Sequence, residues 1–242
     1  MARRGRLFVG TSGYCYPHWR GPVYPPELSQ QDWFGYYSAR LGTVEINNTF
    51  YRLPDGGVFE QWRRAAPAGF IYALKYSRYA THLKKLKDPA GPLETFLARA
   101  WRLGPHLGPV LVQLPPHWVP NLPRLAGFLD LLPADLRFVL ELRDARWLGE
   151  ALYKLLRDHG VALCIHDLLP RHPWVLTTGW TYLRYHGVDY SQSYSAQFLV
   201  AQARRIRGEL EAGHDVYAYF NNDANGYAFH NALQLKRYLD EA

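Results

Sequence analysis

Short apolar runs recur along the chain at nearly regular intervals, and each ends in polar or glycine-containing residues. They are Leu7–Gly10, Thr43–Ile46, Phe70–Leu74, Val110–Leu114, Arg137–Glu141, Val161–Ile165, Tyr182–His186 and Val216–Phe220. They are rich in β-branched and aromatic residues and mostly apolar throughout. Continuous apolarity of this kind predicts strands covered on both faces, as in a parallel sheet.

The intervening segments change period. Asp32–Leu41, Gly57–Ala66, Leu93–Leu103, Asn121–Leu132, Gly149–His159, Ser195–Ala212 and Tyr227–Leu239 place their apolar residues at helical spacing. Gly160 and Gly213 follow two of these segments as stop signals, and Ser195 stands as an N-cap. The stretch from Asp167 to Thr181 holds Pro170 and Pro173, which predicts an irregular sixth crossover.

Alternating strands and helices imply parallel βαβ units. Eight such units predict an α/β protein: a single (β/α)8 TIM barrel with a closed parallel sheet, formed by residues 1–242 as one domain. An open doubly wound sheet is the rival arrangement. No GxGxxG or Walker-type loop follows the first strand to favour it.

Composition narrows the class. Hydrophobic residues make up 48% and charged residues 20% of the 242-residue chain, as in ordinary globular proteins. Cys15 and Cys164 suit a reducing compartment better than a disulfide framework. The apolar stretch Leu7–Val9 is too short for a secretory leader, and no apolar run reaches membrane-spanning length. The expectation is a cytoplasmic protein without a membrane partner. The net charge of +7 favours anionic partners. Arginine far outnumbers lysine, and the positive residues cluster only at His82–Lys87 and Arg204–Arg207. The second cluster lies in a helical pattern and reads as a solvated face. The first follows a strand end, so phosphate or nucleic-acid contact stands there as the minority reading beside a solvated face.

In a barrel, chemistry gathers at the carboxyl ends of the strands, and here those ends are polar. A carboxylate at Glu45, inside an apolar strand, must be paired or hydrogen-bonded. It is either the partner of Lys75 or Arg184, or a general base. Glu141 and Arg143 lie two residues apart and share a face, as do Arg184 and His186. The first couple reads as an ion pair or a substrate clamp. In the second, arginine suits phosphate or carboxylate and histidine suits proton transfer, or else a bond to a backbone carbonyl. Lys75, Arg78 and His82 fit an anion site. Asn48, Gln113 and the run Asn221, Asn222, Asp223 add polar contacts, although Asn and Asp also serve as local caps. Tyr14, Trp19, Tyr51 and Trp147 read either as an aromatic floor for a sugar or base, or as packing.

Several stretches resemble the DUF72 family, the YecE-like proteins. These are Gly10-Thr11-Ser12-Gly13-Tyr14 with His18-Trp19-Arg20-Gly21, Thr43 through Arg52, and Lys75 through His82. Gly108 through Pro116, Glu141-Leu142-Arg143 with Trp147, Arg184 through Gly187, and Tyr219 through Asp223 complete the match. Two positions depart from it. Tyr14 stands where many relatives have Trp, and Asn47-Asn48 where many have Asn-Ser. The family is similar to TIM barrels and its reaction is not established, so the resemblance implies a fold and a site.

The combined expectation is an enzyme acting on a phosphorylated or otherwise anionic small molecule. Glu45, Glu141 and His186 supply acid–base chemistry, as in hydrolysis or in isomerisation and elimination. Lys75, Arg78, Arg143 and Arg184 hold the anion. A metal-dependent nuclease-like barrel and a non-catalytic nucleotide- or metabolite-binding protein are the alternatives. No HExxH or CxxC spacing marks a metal site, no motif points to a cofactor, and no GxSxG elbow marks a serine nucleophile.

Overall fold

The computed structural model describes residues 3–240. The strands are β1 (Leu7–Ser12), β2 (Thr43–Ile46), β3 (Ile71–Lys75), β4 (Leu107–Gln113), β5 (Phe138–Glu141), β6 (Ala162–His166), β7 (Trp180–Tyr185) and β8 (Asp215–Phe220). They follow one another in sequence order and close as a barrel. The registered pairs, such as Gly10↔Thr43 and Val110↔Phe138, are parallel.

The helices are α1 (Trp33–Ser38), α2 (Asn48–Tyr51), α3 (Gly56–Ala65), α4 (Ala90–Ala100), α5 (Leu122–Leu129), α6 (Glu150–Asp158), α7 (Ala196–Glu211) and α8 (Tyr227–Asp240). The predicted period in the segment Leu93–Leu103 begins three residues earlier, at Ala90, and α4 passes at Trp101 into a 3-10 stretch ending at His106. Ser195 caps α7 by accepting the Phe198 N–H at 3.2 Å. Gly160 follows α6 at φ +65°, a left-handed conformation that a side chain would strain. No helix is described between β6 and β7, as the two prolines require. The segment is tied down by the Thr177 hydroxyl, which accepts from Leu163 N at 2.9 Å and donates to Val161 O at 2.7 Å. The short α2 and a π-helical turn at Tyr79–Leu83 were outside the sequence expectation. Elements of four or five residues are too short to display a period.

β1 runs two residues beyond its apolar stretch, because Thr11 and Ser12 pair with Val44 and Glu45 of β2. Gly10 permits this approach. A Cβ there would lie 2.1 Å from the Thr43 carbonyl oxygen. The absent side chain at Gly10 therefore lets β1 and β2 set Ser12 opposite Glu45.

Backbone contacts group the chain into two compact units. One comprises residues up to Glu45 together with those from Gly179 onward, and the other is Ile46–Thr178. The first has an aromatic core on β1, β7 and β8. Phe8 stacks on Tyr217 at 4.5 Å, and Tyr182 lies 5.0 Å from Tyr219. The second buries Leu74, Val110, Leu111, Val139 and Leu140 from its strands and Phe96, Leu125 and Phe128 from α4 and α5. Among the described residues no helix is long and apolar enough to cross a membrane.

Candidate functional site

In the unit that joins the two ends of the chain, Glu45 is the hub. It is fully buried. One carboxylate oxygen accepts from the Ser12 hydroxyl and from Arg184 Nη2, the latter at 2.7 Å. The other accepts from the Tyr182 hydroxyl at 2.6 Å. Ser12 comes from the register partner on β1, whereas Tyr182 and Arg184 lie two residues apart on β7 and so share a face. Arg184 is 1% exposed. Its Nη2 also donates to Ser12 Oγ at 3.2 Å, and its Nη1 lies 3.2 Å from His186 Nε2. A guanidinium only donates, so the histidine nitrogen accepts and the ring proton sits on Nδ1. Burial, followed by the Glu45 charge, pushes the Tyr182 hydroxyl well above its ordinary pKa. Tyr182 is therefore held as a donor to Glu45.

Of the two partners that the sequence offered Glu45, the structure places Arg184 on it. His186 is likewise engaged by Arg184 and buried, with its ring edge-on to Tyr190 at 5.4 Å. Tyr16, which carried no sequence signal, donates its hydroxyl to the Ser12 carbonyl. Its pKa is raised by burial and then by Asp223 and Glu45.

The other predicted residues of this unit make the following contacts. Trp19 is buried and donates its indole N–H to the Asp223 carbonyl at 2.7 Å. His18 lies 3.0 Å from the same carbonyl oxygen and 3.5 Å from the Asp223 carboxylate. Asn222 is buried and donates to Gln192 O at 2.8 Å and to Asn231 Oδ1 at 3.0 Å. The Asn221 backbone N–H extends the ladder to Tyr185 O. Tyr14 packs its ring near Phe34 and Tyr37, and burial pushes its hydroxyl up to about 12.

The Ile46–Thr178 unit is built differently. Glu141 ends β5 and is fully buried. Its Oε1 accepts from Gln113 Nε2 at 2.8 Å and from Arg143 Nε, while its Oε2 faces the Cys164 thiol at 3.9 Å. Gln113 is the register partner on β4. Lys75 ends β3 and is 8% exposed. Its ammonium lies 4.3 Å from the Phe50 ring, a cation–π distance. The Lys75 carbonyl accepts from the Thr49 hydroxyl at 2.8 Å, which anchors α2 beside β3.

His82 reports on the charge in this unit. Its pKa is lowered to about 4, first by burial and then by Lys75, Arg78 and Arg143, with Glu141 acting the other way. Three cations and one carboxylate thus act on one ring. His82 Nδ1 lies 2.8 Å from the Thr81 hydroxyl, and the ring meets Phe50 edge-on at 5.0 Å. His166 ends β6, bonded to Leu142 O through Nε2 at 2.8 Å and accepting Leu168 N–H at Nδ1. Burial lowers its pKa to about 4 as well.

Of the remaining predicted residues, Asn48 is exposed on α2, and Tyr51 is 75% exposed. Trp147 is buried, donating its indole N–H to Trp118 O at 2.7 Å with the two rings 5.3 Å apart. Trp19 and Trp147 are packed with their indole N–H groups on carbonyls, and of the four aromatics proposed as a floor only Tyr51 is mostly exposed. Among the described residues no group of three or more His, Cys, Asp or Glu side chains is placed to hold a metal.

The chain is similar to proteins of one family throughout its length. Residues 8–242 match the family model described as "Protein of unknown function DUF72". The UPF0759 protein YecE of Escherichia coli is 30% identical over 172 residues, which cover 69% of this chain and 61% of that protein. The UPF0759 protein YunF of Bacillus subtilis is 24% identical, with 97% of this chain and 95% of that protein covered. A crystal structure of a DUF72 family protein from Thermotoga maritima superposes with a TM-score of 0.89 at 29% identity, covering 97% of this chain and 99% of that one. The chain belongs to the DUF72 family.

Proposed function

We propose that this chain is an enzyme acting on a phosphorylated or otherwise anionic small molecule by acid–base chemistry, with the anion held in the Ile46–Thr178 unit by Lys75, Arg78 and Arg143. One observation carries the reading: Lys75, Arg78 and Arg143 lie close enough to act together on His82, adding to burial in lowering its pKa to about 4. A bound phosphate or carboxylate would relieve their mutual repulsion and add charge-assisted hydrogen bonds. The position agrees, since Lys75, Gln113 and Glu141 close three consecutive strands, where barrel enzymes carry their active sites. Arg143 is paired to Glu141, and its side chain keeps 17% of its surface.

Within this reading Glu141 is the acid–base group. Gln113 and Arg143 orient one of its oxygens. His82 is neutral at neutral pH, and an anion beside it would raise its proton affinity. It can then take up a proton when the ligand is present. The arginine paired with Glu141 keeps part of its surface, whereas the one paired with Glu45 is 1% exposed, which favours Glu141 for proton transfer.

Calorimetric titration of inorganic phosphate tests the anion site. Saturable binding is expected to weaken about tenfold or more in Lys75→Ala and in Arg143→Ala, the loss of a charge-assisted contact. Affinity unchanged in both variants refutes the site. Glu141→Gln is expected to keep phosphate affinity within about threefold while abolishing turnover of any phosphomonoester the protein consumes.

A further inference from the structure

The lysine cluster seen in the sequence lies on an irregular segment. After the π-helical turn Tyr79–Leu83, Lys85, Leu86 and Asp88 adopt φ of +48°, +58° and +46°. Left-handed backbone at three non-glycine residues is uncommon, and such strain collects where a surface is built for contact. The segment is held by Leu86 N–H to Ala80 O at 2.9 Å and Lys87 N–H to Lys84 O at 3.0 Å. Its geometry buries the Leu86 side chain and leaves Lys84, Lys85 and Lys87 exposed around it.

A second observation is independent of charge. Tyr51 is 75% exposed, Tyr79 50% and Leu83 65%, which is unusual for large side chains. The buried Phe50 ring lies behind them, meeting Tyr51 at 5.0 Å and His82 at 5.0 Å. The Lys84 ammonium lies 5.7 Å from the Tyr79 ring. The Ile46–Thr178 unit thus exposes Tyr79 beside Lys84, with Tyr51 joined to His82 through Phe50 and with Lys85 and Lys87 exposed on the segment that follows.

We infer that these exposed residues bind single-stranded nucleic acid, with bases stacked on Tyr51 and Tyr79 and phosphates on Lys84, Lys85 and Lys87. Aromatic platforms interleaved with cations fit a strand whose bases are unpaired. A duplex hides its base faces, and an acidic peptide would use the lysines without the rings. The inference goes beyond the small-anion reading and does not depend on Lys75 or Arg143.

Fluorescence anisotropy with labelled oligouridylate, oligothymidylate and a matching duplex tests it over a salt series. The single strands are expected to bind about tenfold more tightly than the duplex. K84E/K85E/K87E, checked for folding by circular dichroism, should weaken binding more than tenfold and reduce the logarithmic salt slope by about two. Tyr51→Ala with Tyr79→Ala should weaken binding about tenfold and leave the slope unchanged. Lys75→Ala should have no effect, so this inference and the phosphate site fail separately. The inference is overturned by an absence of binding, by equal affinity for duplex, or by an unchanged tyrosine double variant. Equal lysine-dependent binding to phosphatidylserine-containing vesicles also overturns it.

Discussion

Glu45 and Glu141 invite comparison because each is a fully buried carboxylate near the end of a strand with a register partner as donor, Ser12 for one and Gln113 for the other. Their cations differ. Arg184 comes to Glu45 from β7 and is 1% exposed, with Tyr182 and Ser12 completing the hydrogen bonds. Arg143 reaches Glu141 from two residues along the same segment, and its side chain is 17% exposed. The first carboxylate belongs to a buried network that joins strands far apart in sequence. The second stands among cations that also act on His82. Burial does not separate the two carboxylates; the origin of the cation and the charge around each one do.

Breaking the buried network should have the largest effect. Arg184→Ala leaves Glu45 buried without its countercharge, and chemical denaturation should show a loss of about 3–5 kcal/mol. The same deletion on the other carboxylate should cost less. Arg143→Ala is expected to lose about 1.5–3 kcal/mol in the same measurement, because water can reach the gap. If the two losses are equal, the contrast between the carboxylates falls.

Tyr182→Phe sharpens the comparison by removing one of the donors to Glu45 while keeping the ring. A loss of about 1.5 kcal/mol is expected, and a neutral outcome would mean the hydroxyl contributes nothing to holding the carboxylate. The smallest effect is a slope. His82 and His166 have folded pKa values of about 4, below the ordinary value of 6.5. The unfolded chain therefore binds protons that the folded protein refuses. Stability is at its plateau above about pH 6.5, falls as pH drops toward about 4, and levels off below that. His82→Gln should flatten the slope by less than about 1.4 kcal/mol per pH unit, since the ring keeps some exposure. An unchanged slope in urea midpoints taken across this range would count against His82 being neutral.

Much of the fold was legible because its signals are local. The apolar runs marked the strands to within a few residues, and the prolines at 170 and 173 announced the crossover that lacks a helix. Parts of the site were legible for the same reason. Glu141 with Arg143, and Arg184 with His186, sit at the two-residue spacing that puts side chains on one face, and both couples are in contact. The aromatic residues were less readable. The same indole chemistry serves a ligand floor or a core, and Trp19 and Trp147 lie in the core because each N–H meets a carbonyl.

The sequence by itself determined the strand–helix alternation, the polar strand ends and the surplus of positive charge, since each depends on residue type and short-range spacing. Only the tertiary structure decided which cation meets which acid. Arg184 stands 139 positions from Glu45, and Tyr182 stands 137 from it. No periodicity spans such a distance; the contact exists because β7, β8, β1 and β2 are neighbours in the sheet and side chains on one face meet across it. The field on His82 has the same origin. Lys75 and Arg143 belong to different segments, and their joint action on one ring follows from adjacent parallel strands ending together.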